Sequence, residues 1–133
     1  MIIKNKKKGI LFWITGLPGA GKTSIANNII NPINKKFGHT ILFNGDDIRK
    51  IFELKDYSFI GRKRIGMQYS KLFQKITDQK INILFAGGVL IEEVRMRNKK
   101  NINNYVEIYL KSSQKKIISK NFKKLYLKTK NLV

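Results

Sequence analysis

The chain has 133 residues, a formal charge of +20 and no cysteine, so a disulfide framework and a thiolate metal site are both excluded. Its length suits one domain able to bury about two-thirds of its unfolded surface. The 42% hydrophobic content is broken into short runs, none near the roughly 18 apolar residues of a membrane span, and Met1-Ile2-Ile3-Lys4 lacks a signal peptide's apolar core, so no membrane partner is expected and a cytoplasmic location is.

Residues 1–9 form a basic lead-in, expected to be mobile at its tip, ahead of a candidate domain over 10–133. Ile10 to Thr15 is a continuous apolar run, as expected of a strand covered on both faces. It leads into Gly16-Leu17-Pro18-Gly19-Ala20-Gly21-Lys22-Thr23-Ser24, which has the Walker A spacing. Gly16 and Gly21 let main-chain N–H groups close on an anion. Lys22 supplies a cation for the β and γ phosphates of a nucleotide, and Thr23 a hydroxyl for Mg2+. The helix that starts there aims its unpaired N–H groups at the same phosphates.

Ile25, Ala26, Ile29, Ile30 and Ile33 follow at helical spacing. Pro32 interrupts them at a cost of about 3 kcal/mol or more, which predicts a stop or kink near Ile30. Thr40 to Phe43 reads as a second buried strand, and Asp46 as the cap of a short helix to about Glu53. A loop from Lys55 to Gly61 leads to a long helix ending near Gln79. Its inward face is Ile65, Tyr69, Leu72, Phe73 and Ile76, with Tyr69 and Phe73 read as core. Ile81 to Ala86 is a third strand, broken by Gly87-Gly88. A short helix over Ile91 to Met96, a fourth strand over Tyr105 to Leu110 and a last helix capped by Ser112 or Ser113 complete the pattern. The last helix would turn Ile117, Ile118, Phe122 and Leu125 inward.

Such alternation predicts an α/β fold with a parallel sheet whose ligands bind beyond the carboxyl ends of the strands. The phosphate loop, Asp46 and Gly87-Gly88 all fall at that edge. The charge invites a nucleic-acid reading. Yet Lys outnumbers Arg 23 to 5 and Ile and Asn are also abundant, as A/T-rich coding would produce, and the lysines are scattered over polar faces. A small anionic nucleotide is the expected partner.

Several stretches resemble adenylyl-sulfate kinases, the P-loop enzymes that phosphorylate adenylyl sulfate with ATP. Phe12-Trp13-Ile14-Thr15-Gly16-Leu17-Pro18-Gly19-Ala20-Gly21-Lys22-Thr23 looks like their first strand and loop. Asn44-Gly45-Asp46-Asp47-Ile48-Arg49 is similar to the family's Asp-Gly-Asp-Asn-Val-Arg. Asn104 to Leu110 looks like its fourth strand, and Lys123-Lys124-Leu125-Tyr126 resembles its Lys-Gly-Leu-Tyr. The resemblance implies a three-layer P-loop kinase fold with strands near 10–15, 40–43, 81–86 and 105–110, lacking the family's last strand and helix. It implies ATP and Mg2+, transfer to the 3'-hydroxyl of adenylyl sulfate in sulfate activation, and leaves a homodimer open.

On that resemblance Asp46 sits beside the acceptor hydroxyl, Arg49 and Arg62 hold the sulfate nucleotide, and Lys120 replaces an arginine near the ATP base. The same residues also read as a helix cap (Asp46) and as solvated cations (Arg49, Arg62, Lys120). Departures stand at Asn44 (for an aspartate), Ile65 (for an asparagine), Met67 and Gln68 (for an arginine pair), Val89 and Lys124. The chain also ends at Val133, before the family's Glu-Ile-Lys-Asn segment and closing elements. Alternatives are a related kinase for another small nucleotide, a non-catalytic ATP-binding remnant, and a Lys-rich nucleic-acid binder.

Overall fold

The computed structural model describes residues 2–16, 21–88 and 91–110. The first apolar run becomes strand β1 (Ile10–Gly16), buried along its whole length. After it come α1 (Lys22–Phe37), β2 (Thr40–Asn44), α2 (Gly45–Phe52), α3 (Phe59–Thr77), β3 (Asn82–Ala86), α4 (Glu92–Asn101) and β4 (Asn104–Leu110). The strands pair in the order β2-β3-β1-β4, all parallel, with Leu11 opposite Ile83 on one side and Tyr105 on the other.

Successive strand residues point to opposite faces, so β1 feeds two cores. Ile10, Phe12 and Ile14 pack with Ile25, Ile29 and Ile33 of α1. Leu11 and Trp13 pack with Ile65 and Phe73 of α3 and Val94 of α4. Helices therefore cover both sides of the sheet, as an all-parallel sheet requires. Among the described residues no helix is long and apolar enough to cross a membrane.

Helix α1 does not stop at Ile30 but continues through Pro32 to Phe37. Ile33 is fully buried, and the Phe37 ring lies 5.4 Å from that of Phe12. Fully burying a side chain of this size is worth about 1.5–3 kcal/mol, and the full burial of Ile33 with the part burial of Phe37 offsets the proline's cost. Helix α3 begins at Phe59, inside the expected loop, because Ser58 Oγ accepts from the Gly61 N–H at 3.1 Å. Its buried stripe runs Gly61, Ile65, Tyr69, Phe73, Thr77, a four-residue step that leaves Leu72 43% exposed. Helix α4 extends beyond Met96 to Asn101, and its buried Asn98 accepts a hydrogen bond from Ser70 of α3. The expected last helix lies outside the described residues.

The lead-in is anchored from Ile2 onward; the mobility expected was of its tip alone, and Met1 lies outside the described residues. Ile2 is buried in the α1-side core. Asn104, fully buried at the start of β4, accepts from the N–H groups of Lys4 (2.6 Å) and Asn5 (3.0 Å). Its amide nitrogen donates to the carbonyls of Asn5 and Lys8 at 2.9 and 3.1 Å. An unmet buried polar group costs about 1–3 kcal/mol, so Asn104→Ala should lower stability by about 2 kcal/mol or more. Trypsin should then cut at Lys4 to Lys8 faster than in the parent protein, and a limited-digestion time course measures this.

Candidate active site

The site lies at the carboxyl edge of the sheet, where β1, β2 and β3 each release the chain. Gly16 ends β1, and Gly21 precedes α1 with φ 90°, a left-handed conformation that favours glycine. Leu17, Pro18, Gly19 and Ala20 lie outside the described residues, as do Val89, Lys120 and Lys124. Lys22 opens α1, and its ammonium donates to the Gly16 carbonyl at 3.0 Å. Burial pulls the Lys22 pKa below the ordinary lysine value, opposed in part by the Asp46 carboxylate.

Asn44, the last residue of β2, joins two elements with one side chain. Its amide nitrogen donates to Thr23 Oγ1 at 2.8 Å, and its amide oxygen accepts the Asp46 N–H at 2.9 Å. Asn44 is therefore the N-cap of α2, and the expected capping role of Asp46 is not realised. The reason is position: Asp46 lies one residue inside the helix, too late to cap, while Asn44 has the extended backbone a cap needs. The Asp46 carboxylate is left for other work, exposed in the first turn, where the helix dipole favours an anion.

The edge of β3 meets this turn closely. A Cβ on Gly87 would lie 2.9 Å from the Gly45 Cα, a separation that forces a shift of backbone. The pair lets the end of β3 and the start of α2 form one wall of a cleft of about 540 Å3, within the usual range for small-molecule sites.

Lys22, Thr23, Ser24, Asp46, Arg49 and Arg62 all line that cleft. Arg49 donates to the carbonyls of Leu54 (3.1 Å) and Asp56 (3.2 Å), and its guanidinium lies 4.1 Å from the centre of the Tyr57 ring. Arg62 has its Nε buried with no hydrogen-bond partner among the described residues. Of the departures on α3 only Ile65 faces the cleft; Met67 packs against the core and Gln68 is exposed.

Two cleft residues were not singled out in the sequence. Tyr57 lies in the loop before α3 and meets Arg49 only through the fold. Tyr69, read as core, is 8% exposed yet lines the cleft, and its hydroxyl lacks a partner among the described residues. Burial raises its pKa above that of a free tyrosine. A spacing signal existed for Tyr69: residues 62, 65, 66 and 69 share one helix face.

Mg2+ usually takes one or two protein oxygens together with substrate phosphates and water. Among the described residues no cluster of three or more His, Cys, Asp or Glu forms a cage for a metal. The Thr23 hydroxyl has a second lone pair beyond the one facing Asn44. With Asp46 it makes a donor set that fits a metal shared with a nucleotide.

A parallel sheet with this loop after its first strand and this carboxylate after its second defines a P-loop nucleotide kinase. The chain belongs to the adenylylsulphate kinase family, whose model matches residues 8–132. It is 29% identical over 126 residues to the cytidine diphosphoramidate kinase of Campylobacter jejuni, covering 95% of this chain and 74% of that protein. To the adenylyl-sulfate kinase of Buchnera aphidicola it is 28% identical over 133 residues, covering 96% of this chain and 62% of that one. The chain thus spans less than two-thirds of the latter relative. The structure of the Mycobacterium tuberculosis APS kinase in complex with AMPPNP and APS superposes with a TM-score of 0.69 at 21% identity, covering 91% of this chain and 73% of that one. That likeness is one of fold.

Proposed function

We propose that the chain is an ATP-dependent nucleotide kinase that moves the γ-phosphoryl group of ATP to the ribose 3'-hydroxyl of adenylyl sulfate, yielding ADP and 3'-phosphoadenylyl sulfate. The observation that carries this reading is the Thr23–Asn44–Asp46 linkage. Through it the phosphate-loop hydroxyl and the backbone that carries the Asp46 carboxylate are joined by one side chain at the rim of one cleft.

The acceptor oxygen attacks the γ-phosphorus as the bond to the β-bridging oxygen breaks, and the hydroxyl proton passes to Asp46. Lys22 and the loop amides stabilise the charge on the transferring group. Arg49 and Arg62 offer the acceptor's anionic groups planar, fork-shaped donors. Thr23 and Asp46 would hold Mg2+, which when bound neutralises charge across the β and γ phosphates. Positioning and electrostatics do nearly all the work in such transfers.

A second reading, phosphorylation of a cytidine-based acceptor, is favoured by two observations. One is the likeness to the Campylobacter kinase. The other is Ile65, which puts hydrocarbon on the cleft wall where the resemblance leads one to expect an amide. A coupled ADP-release assay with adenylyl sulfate and with CDP separates the two. Release with adenylyl sulfate supports the first reading, and release with CDP alone moves the assignment to the second. ATP binding without turnover of either would leave a non-catalytic nucleotide binder.

A further inference from the structure

Tyr69 makes a poor core tyrosine. Its ring is well placed, 6.1 Å from Phe73 and 5.3 Å from Phe85. Those contacts need only a phenyl group. The hydroxyl has no partner among the described residues, although residue 69 is 8% exposed and bulk water is excluded from it. Phenylalanine would satisfy the packing without leaving a buried polar group unmatched, so the hydroxyl calls for another explanation.

Its surroundings supply one. Arg62, Ile65, Gly66 and Tyr69 present one stripe of α3 to the cleft. The stripe has a donor at each end and no polar side chain between. Both end groups, Arg62 Nε and the Tyr69 hydroxyl, are buried without a partner. The hydroxyl also lies within electrostatic reach of Asp46, Arg49 and Tyr57, the groups that surround the acceptor in the proposed reaction. A phenol is protonated at neutral pH and therefore a donor, and burial raises its pKa further.

We propose that Tyr69 is a specificity-determining residue whose hydroxyl donates a hydrogen bond to an oxygen of the bound acceptor nucleotide. This rests on the kinase reading above and deepens it. The oxygen belongs either to the base or to the anionic phosphate or sulfate group. Adenine carries no carbonyl and cytosine carries one, so two probes distinguish these sources.

The test compares the parent protein with Tyr69→Phe by calorimetry against adenylyl sulfate, CDP and ATP, and adds steady-state kinetics and a melting curve. The variant should bind acceptor about tenfold more weakly or worse, with a matching rise in acceptor KM. Its affinity for ATP should not change, and its Tm should hold or rise. Weakening with both acceptors assigns the bond to the anionic group, and weakening with CDP alone assigns it to the base. Acceptor affinities within twofold of the parent, with a higher Tm, would overturn the proposal and leave Tyr69 a core residue. Acceptor binding by the parent without ADP release would sink the kinase reading alone, because the binding comparison still decides the role of Tyr69. A parent that binds neither acceptor overturns both.

Discussion

Lys22→Ala should cut turnover at least about a hundredfold, the scale seen when one preorganised donor to developing charge is removed. Calorimetry should show little or no heat with ATP. Lys22 lies at the mouth of α1 with its ammonium on the Gly16 carbonyl, the position from which it would meet the terminal phosphates. Burial already costs this cation something, as its lowered pKa records, so its removal should leave the melting temperature of the free protein unchanged or slightly higher.

The same shift has a pH signature with a definite sign. Between the lowered folded pKa of Lys22 and its ordinary unfolded value, the unfolded chain binds more protons, so this residue's contribution to stability rises with pH across that window. ATP affinity should move the other way, falling as pH climbs through the lowered pKa and the ammonium is lost. Lys22→Arg should flatten that alkaline fall, since a guanidinium stays charged throughout. A titration of ATP affinity from neutral to alkaline pH measures both. An affinity that ignores pH, or one that survives Lys22→Ala, would remove the phosphate loop from the mechanism.

The second large effect is structural. Phe73→Ala should destabilise the protein by about 3–5 kcal/mol, a large share of the 5–15 kcal/mol that holds a typical domain together. Phe73 is fully buried and its ring lies 4.9 Å from Phe85, 5.7 Å from Phe43 and 5.9 Å from Trp13. It ties α3 to three strands at once. Tyr69 rests on the same ring, so the cavity left behind would also loosen the α3 wall of the cleft. Urea unfolding gives the stability loss, and Phe73→Leu, which leaves a smaller void, should lose markedly less. Equal losses for the two variants would mean that the aromatic cluster does not set the rigidity of this face.

How far each feature could be read in advance depended on the range of the interaction behind it. The phosphate loop was legible because all its parts lie within nine residues and each residue type has one local job. The strands were legible as short apolar stretches: β1 is continuous and buried on both faces, whereas the edge strand β4 alternates, with Glu107 and Tyr109 on its more open face. Pro32 misled because the local cost was visible, whereas the compensating contacts of Ile33 and Phe37 with the sheet were not. The cap of α2 was misplaced by two residues for a related reason. Asp46 and Asn44 are both good caps in isolation, and only the backbone geometry at the end of β2 chooses between them. The lead-in read as a basic segment mobile at its tip, with no sign of its anchor, an asparagine about a hundred residues away.

The amino-acid sequence by itself determined the α/β alternation, the parallel sheet and the placing of Lys22, Thr23 and Asp46 at its carboxyl edge, since periodicity and motif spacing are properties of neighbours along the chain. Only the tertiary structure decided that Asn44 links Thr23 to Asp46 and that Arg49 stacks on Tyr57. It alone showed that Arg62 and Tyr69 line the cleft and that each carries a buried polar atom with no partner among the described residues. Those relations span up to 21 residues or join separate elements, and packing of the helices against the sheet sets them.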